Sequence, residues 1–442
     1  MRKENKGIIL AIILISYFMI LLDNSIIFTG TVKIAAELNL SQTALSWVSN
    51  AYSLTFDGLL LLSGSIGDII GRKRIFSIGL LIFAVGSLLV GLAGSMMSIV
   101  LARVFQGIGS AILAPTSLAL LMDSFSGKER TRAIVAYGAT SGIGASIGLV
   151  FGGLFASLMS WRDGFFINVP IAIIMLILTA KFIPTDQTRQ LKKLDIVGSI
   201  ASIIGMTALV YSLVGSQGRL IALIIAVIAI AGFIWHEART KQPMMPLRLF
   251  VDRERLGGYI ARFFYLGAMM SMWFLTPQIM QTQLHFTPLQ AGLGFFPLTI
   301  VSFIVAVQVA KLADRFGNTQ ILIIGIILTV IGMFAISFFS AQVGYTVGIA
   351  LPMILMGIGQ GLTLSPLTVA GVANTSPEDS GVVNMVHQIG GSVGMAFVVA
   401  ASATVKTEIA SYHLAMLTAT ALLIGALIAV IGLIGPTLKK IA

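Results

Sequence analysis

The sequence predicts an all-helical, polytopic membrane protein, and three observations carry that expectation. Of 442 residues, 57% are hydrophobic and only 10% are charged, and the mean hydropathy is +0.98. The apolar residues gather in runs of roughly 18–25, enough to cross a ~30 Å hydrocarbon core at ~1.5 Å per residue. Lys and Arg outnumber the acids 28 to 17 and collect in alternate short loops, the pattern that orients membrane helices. Alternating strands of roughly ten residues are absent, so helices are the spanning solution that satisfies the backbone.

Fourteen spans are expected, near 7–29, 44–66, 75–95, 97–121, 133–156, 165–183, 196–215, 219–236, 257–281, 288–310, 320–340, 344–366, 381–403 and 413–435. The basic loops fall on one side, including Arg72–Arg74, Lys128–Arg132, Lys181–Lys193 and Arg239–Arg255. The other side has only Lys33, Arg162, Arg219 and Lys406. Both termini are therefore expected in the cytoplasm, and the net charge of +11 sets topology rather than binding nucleic acid. The first run is too long for a cleaved signal and lacks a small-residue cleavage site, so it counts as the first helix. The absence of cysteine removes disulfides, thiolate metal sites and cysteine nucleophiles.

The first and last thirds repeat each other at an offset of about 250 residues, each repeat holding six spans. GSIGDIIGRKR (64–74) matches AKLADRFGNTQ (310–320), and QGIGSAILAPTS (106–117) matches MGIGQGLTLSPLT (356–368). The expected organisation is a six-helix bundle over 1–190, two inserted helices over 191–240, and a second six-helix bundle over 241–442.

Asp23 stands inside the first run, where an acidic residue costs about 2.5–3.5 kcal/mol at mid-helix. Such a residue is a functional-site hypothesis with a partner to be named, and Arg103 on span 4 lies at the same depth. An arginine nearby holds the carboxylate charged, whereas its withdrawal favours the protonated form, so the pair can trap a proton; the alternative is a static ion pair. Ser16 and Asp23, then Asn50, Ser53 and Asp57, then Arg103, Gln106, Ser110 and Ser117 form three polar stripes at helical spacing. They are expected to line one aqueous cavity. Asp57, near the midplane, is a second protonation group or a substrate counter-ion, or else a helix-to-helix hydrogen bond. Gly144, Gly148, Gly152 and Gly153 on span 5 allow close helix packing. Span 9 places Met269, Trp273 and Phe274 among other soft side chains suited to a promiscuous apolar pocket. His387 is expected as a neutral histidine, and Arg262 as a residue that snorkels to the cytoplasmic surface.

With these pieces assembled, the whole chain resembles the major facilitator superfamily, and within it the fourteen-span drug:proton antiporter family of QacA-like and SdrM-like pumps. Gly64-Ser-Ile-Gly67-Asp68-Ile-Ile-Gly71-Arg72-Lys73-Arg74 resembles the loop between helices 2 and 3 of that superfamily. The resemblance implies a conformational switch at Gly67, Asp68, Gly71, Arg72 and Arg74, with Asp68 meeting a helix N-terminus and the arginines bonding carboxylates. A weaker copy holds Asp314 and Arg315, with Asn318 and Thr319 in place of basic residues. Arg103-Val-Phe-Gln106-Gly107-Ile-Gly109 is similar to the family's helix 4 pattern, which implies proton coupling at Arg103. The span 5 glycines resemble the antiporter motif, although Leu149 replaces its proline and Asp57 replaces a small apolar residue on span 2. The implied activity is proton-coupled efflux of lipophilic, cationic or zwitterionic antimicrobials and dyes by alternating access, with no enzymatic step and no cofactor beyond the proton gradient. Its implied partners are small drugs, protons and the lipid bilayer of the cytoplasmic membrane, with the chain a monomer. A proton symporter for a nutrient or organic anion, and a membrane sensor or lipid-handling protein, are the rival expectations.

Overall fold

The computed structural model describes residues 3–184, 195–215, 217–240, 243, 245–373, 381–405 and 407–435. The side chains of Asp57 and Asp68, among others, lie outside the described residues. Helices account for the described regular structure, with no strand among the described residues.

Contacts divide the chain into two compact units, one of Met1–Ile203 with Thr287–Gly292, the other of Ile204–Phe286 with Leu293–Ala442. The first holds α1 (Lys3–Leu38), α2 (Gln42–Ile70), α3 (Arg72–Gly91), α4 (Met96–Ser124), α5 (Gly127–Leu158), α6 (Trp161–Phe166) and α7 (Asn168–Phe182). The division runs through α8 (Ile196–Val214), which is followed by α9 (Arg219–Arg239), α10 (Arg253–Gln283) and the short α11 (Pro288–Leu293). The second unit continues with α12 (Phe296–Phe316), α13 (Asn318–Ile336), α14 (Leu351–Gly371), α15 (Gly381–Ser402) and α16 (Glu408–Ala429).

Local chemistry sets the helix ends. Ser95 and Ser98 form a capping box that opens α4, and Ser160 and Asp163 do the same for α6, satisfying amide groups that have no partner in the first turn. The turn from α2 to α3 is made at Gly71, with φ 102° and ψ 135°, and its counterpart from α12 to α13 at Gly317, with φ 83° and ψ 145°. Both values lie where a side chain is strained, so glycine stands at each. A proline lies inside α4 at Pro115 and inside α14 at Pro366, and the packing repeats as well. Helix α1 lies on α5, α2 on α4 and α3 on α4 in the first unit, as α10 lies on α15, α12 on α14 and α13 on α14 in the second. The repeat in the sequence is thus a repeat of packing.

Eleven helical segments among the described residues are long and apolar enough to cross a membrane. Helices α2, α5 and α10 have 29, 32 and 31 residues and match the rest in length; α10 is the most polar of the three, and α2 and α5 include side chains outside the described residues. Apolar side chains fill the first unit's core, with Ile12, Ile13 and Ile20 of α1 against Phe76, Leu80 and Phe83 of α3 and Leu120 and Leu121 of α4. Others face outward, among them Leu220, Ile221 and Ile228 on α9, as expected of side chains that face lipid.

Lipid offers helices little hydrophobic reason to associate, so close backbone approach matters more than in water. The α5 glycines provide it by running along α1. A Cβ at Gly144 would lie 2.6 Å from Leu21 Cδ1, at Gly148 2.6 Å from Ser25 Oγ, and at Gly152 2.7 Å from Ile26 Cα. Gly153 meets the carbonyl of Pro288 instead, 2.5 Å from its ideal Cβ. Gly138, on the same helix, has open space around it. Gly152→Ala should therefore lower stability by about 1–3 kcal/mol through overpacking. Gly138→Ala should raise it by up to about 1 kcal/mol through helix propensity. Melting midpoints of the two purified variants in one detergent check both signs.

Candidate functional site

The deepest polar cluster of the first unit forms around one carboxylate. Asp23 on α1 is fully buried and Arg103 on α4 is 1% exposed. Arg103 Nη1 donates to Asp23 Oδ2 at 2.5 Å, so the residues expected at one depth are in contact. Gln106, one turn along α4, uses both ends of its amide. Its Oε1 accepts from Arg103 Nη1 at 2.7 Å, and its Nε2 donates to Asp23 Oδ1 and Ser87 Oγ, each at 2.6 Å. Asn168 on α7 donates to the same two oxygens at 3.3 Å.

Helix α2 completes the arginine's surroundings. Arg103 Nε donates to the Val48 carbonyl at 3.0 Å, and the guanidinium lies over the Tyr52 ring at 4.1 Å. Tyr52 in turn donates its hydroxyl to Ser110 Oγ at 2.7 Å. Five helices, α1, α2, α3, α4 and α7, thus converge on one ion pair. A buried pair recovers its desolvation cost only when its remaining donors and acceptors are also met, and here Asp23 Oδ1 takes two amide donors while the guanidinium reaches Gln106 and the Val48 carbonyl.

Glycines explain how these helices come so close. An ideal Cβ on Gly86 of α3 would sit 2.6 Å from Gln106 Cα, one on Gly107 2.8 Å from the Tyr52 carbonyl, and one on Gly109 2.5 Å from the Phe83 nitrogen. The two glycines after Gln106 therefore seat α4 on α2 and α3, and the spacing of Arg103, Gln106, Gly107 and Gly109 is the footprint of that seat.

The expectation of a wet carboxylate is corrected: Asp23 has no exposed surface, because amide and guanidinium N–H groups occupy the positions water would take. Other stripe residues are buried without partners. Both polar side-chain atoms of Asn50, and the hydroxyls of Ser16 and Ser117, make no hydrogen bond, which ordinarily costs about 1–3 kcal/mol per group. Ser53 is half-buried on the same helix. Asp57 lies outside the described residues.

In the turn after α2, the Gly67 carbonyl accepts from the Gly71 amide at 3.2 Å. Arg72 donates to Asp123 at 2.6 Å and to the Ala119 carbonyl at 2.9 Å near the end of α4. Lys73 reaches the Ala180 and Ile183 carbonyls at the end of α7, a position where a cation also favours the helix dipole. Arg74 is exposed, and in the second copy Asp314 and Arg315 are exposed, with Arg315 over the Phe316 ring at 5.1 Å. Asp68 lies outside the described residues.

The second unit departs further from expectation. Met269 and Phe274 are buried and offer no surface to a ligand in this structure, because α10 is enclosed by α14, α15 and α16. Trp273 is half-buried, its ring 5.2 Å from that of Phe295. Arg262 does not snorkel: it is 6% exposed and turned toward α14 and α15. Sequence spacing also missed Ser87, Tyr52 and Asn168, of which Asn168, a lone amide in an apolar run, carried the one usable signal.

The Major Facilitator Superfamily profile matches residues 13–399. The chain belongs to that superfamily. As a member it is a multi-pass membrane transporter and not an enzyme. Among its relatives is the uncharacterized MFS-type transporter EfpA of Mycobacterium tuberculosis, 34% identical over 409 residues, 89% of this chain and 77% of that protein. The cephamycin export protein CmcT of Amycolatopsis lactamdurans is 33% identical over 86% of this chain and 82% of its own length. The puromycin resistance protein pur8 of Streptomyces alboniger is 30% identical over 88% and 80%. The crystal structure of a bacterial homologue of the human lysosomal transporter Spinster has the same fold, with a TM-score of 0.71 at 14% identity over 97% of this chain and 96% of that one.

The superfamily member's ion pair predicts a specific mutational pattern. Arg103→Met alone should destabilise by about 3–5 kcal/mol by leaving Asp23 buried without a cation. Asp23→Asn combined with Arg103→Met should cost less than the sum of the single changes. Thermal unfolding of the three variants in detergent gives the cycle.

Proposed function

We propose that this transporter is a fourteen-span drug:proton antiporter that exports lipophilic antimicrobials and dyes by alternating access. The observation that carries the reading is the sealed Asp23–Arg103 pair with Gln106 and Asn168 on the same carboxylate. A carboxylate enclosed by movable polar partners changes its protonation state when those partners move. Relatives named for cephamycin export, puromycin resistance and multidrug resistance supply the substrate class. Adding α2, α5 and α10 to the apolar helices gives the fourteen spans, arranged as two six-helix halves and an inserted pair.

In this mechanism Asp23 takes up a proton when Arg103 withdraws toward the Val48 carbonyl and the Tyr52 ring, both of which it already touches. Gln106 and Asn168 then hold a neutral carboxyl group as readily as a charged one, because an amide both donates and accepts. Asp57 is assigned a second protonation or substrate role on sequence grounds. Asn50, Ser16 and Ser117, with their unmet hydrogen-bonding capacity, are assigned to the polar passage that opens when the helices part. The turn at Gly71, with Arg72 on Asp123, acts as the cytoplasmic latch. The chain works in the cytoplasmic membrane as a monomer with both termini inside, and the proton gradient is its energy source.

One proton driven through 100 mV supplies about 2.3 kcal/mol, enough for about a fiftyfold gradient of a neutral drug. In everted membrane vesicles, an imposed pH gradient should drive dye uptake by the wild type. Asp23→Asn should abolish that uptake and leave dye binding to the purified protein in place. Gradient-driven uptake that survives Asp23→Asn overturns the coupling scheme.

A further inference from the structure

We infer that Arg262 is a receptor for a carboxylate borne by a lipophilic substrate. The inference rests on the export reading and narrows its substrate class. Arg262 lies on α10, 6% exposed, and its guanidinium is fixed by two acceptors from neighbouring helices. Its Nε donates to His387 Nδ1 on α15 at 2.9 Å, and its Nη1 to Thr368 Oγ1 on α14 at 2.7 Å. Both acceptors are neutral. An imidazole nitrogen that accepts carries no proton, and the Thr368 hydroxyl gives its own hydrogen to the Leu364 carbonyl at 2.8 Å.

The other buried arginines have their charge or position explained. Arg103 meets a carboxylate. Arg255, two turns before Arg262 on α10, donates to the Leu249 carbonyl and to the Ala373 carbonyl beyond the end of α14, the usual work of a cation at a helix C-terminus. Arg262 sits well inside α10 and caps no helix. Among the described residues it has no acidic partner, and its Nη2 makes no hydrogen bond.

Two of the five N–H groups of the guanidinium are therefore used, and those left include the pair on Nη2. The unused edge is planar, positively charged and held in one orientation, which suits an incoming carboxylate through two parallel hydrogen bonds. An ammonium group has no such complement here and would be repelled. In surroundings where Arg262 is 6% exposed, a lipophilic carboxylate would bring the charge partner that the guanidinium lacks. Thr368 and His387 are positioning residues: they hold the fork in place without neutralising it.

The test compares rhodamine B, which carries a free carboxylate, with rhodamine B ethyl ester, which does not. Dye fluorescence anisotropy is measured on the purified full-length protein in detergent, without a proton gradient. The wild type should bind rhodamine B more tightly than the ester. Arg262→Gln should weaken rhodamine B by about tenfold or more, leave the ester within about twofold, and elute as a monodisperse peak. Arg262→Lys, which keeps the charge and loses the fork, should fall between. A wild type with no preference for rhodamine B overturns the inference, as do Gln and Lys variants that weaken both dyes equally. Because no gradient is involved, either failure leaves the coupling test at Asp23 untouched.

Discussion

A carboxylate and a guanidinium buried against one another are the constraint around which the first unit is built. Neither charge can be left alone in a medium without water, so once Asp23 is placed in α1 the neighbouring helices must bring donors to it. They do so from four directions: Arg103 and Gln106 on α4, Asn168 on α7, and Ser87 on α3, which steadies both amides, while α2 supplies the carbonyl and ring that hold the arginine. The glycines at 86, 107 and 109 follow from this, since any side chain there would force apart the backbones that carry the donors.

The same logic separates the two repeats. Their packing order and their glycine turns correspond, yet only the first contains an ion pair inside its helices among the described residues. In the second unit, α10 instead carries an arginine with a histidine and a threonine for company. A fold duplicated in its mechanics has thus been divided in its electrostatics, with an acid and its cation in one unit and a cation resting on neutral acceptors in the other. That division suits a transporter in which proton and substrate are handled by different groups.

Much of the architecture was legible in the sequence because membrane helices announce themselves by length and hydropathy, and because GSIGDIIGRKR and AKLADRFGNTQ share a turn whose φ demands glycine. The Asp23–Arg103 contact was legible from depth alone, as two charges in apolar runs have few other places to go. Helical periodicity could place Gln106 on the face of Arg103, but it could not show which helices meet. Ser87, Tyr52 and Asn168 were therefore missed, and Met269 and Phe274 were assigned to a pocket lining when neighbouring helices cover them. The wetness of Asp23 was misjudged for a related reason: a polar stripe looks the same in sequence whether water or amides satisfy it. Arg262 was expected to snorkel because it stands near a span end, whereas Thr368 and His387 draw it inward.

The central claim is that Asp23 changes its protonation state during transport rather than serving as a fixed strut. Infrared difference spectroscopy of the reconstituted protein, recorded as pH is lowered and again as a dye is added, reads that change in the carboxyl stretch. The account predicts a protonated-carboxyl band that grows on acidification, shrinks when dye binds and is missing from Asp23→Asn. A spectrum in which no such band depends on Asp23, at any pH and with or without dye, would contradict it.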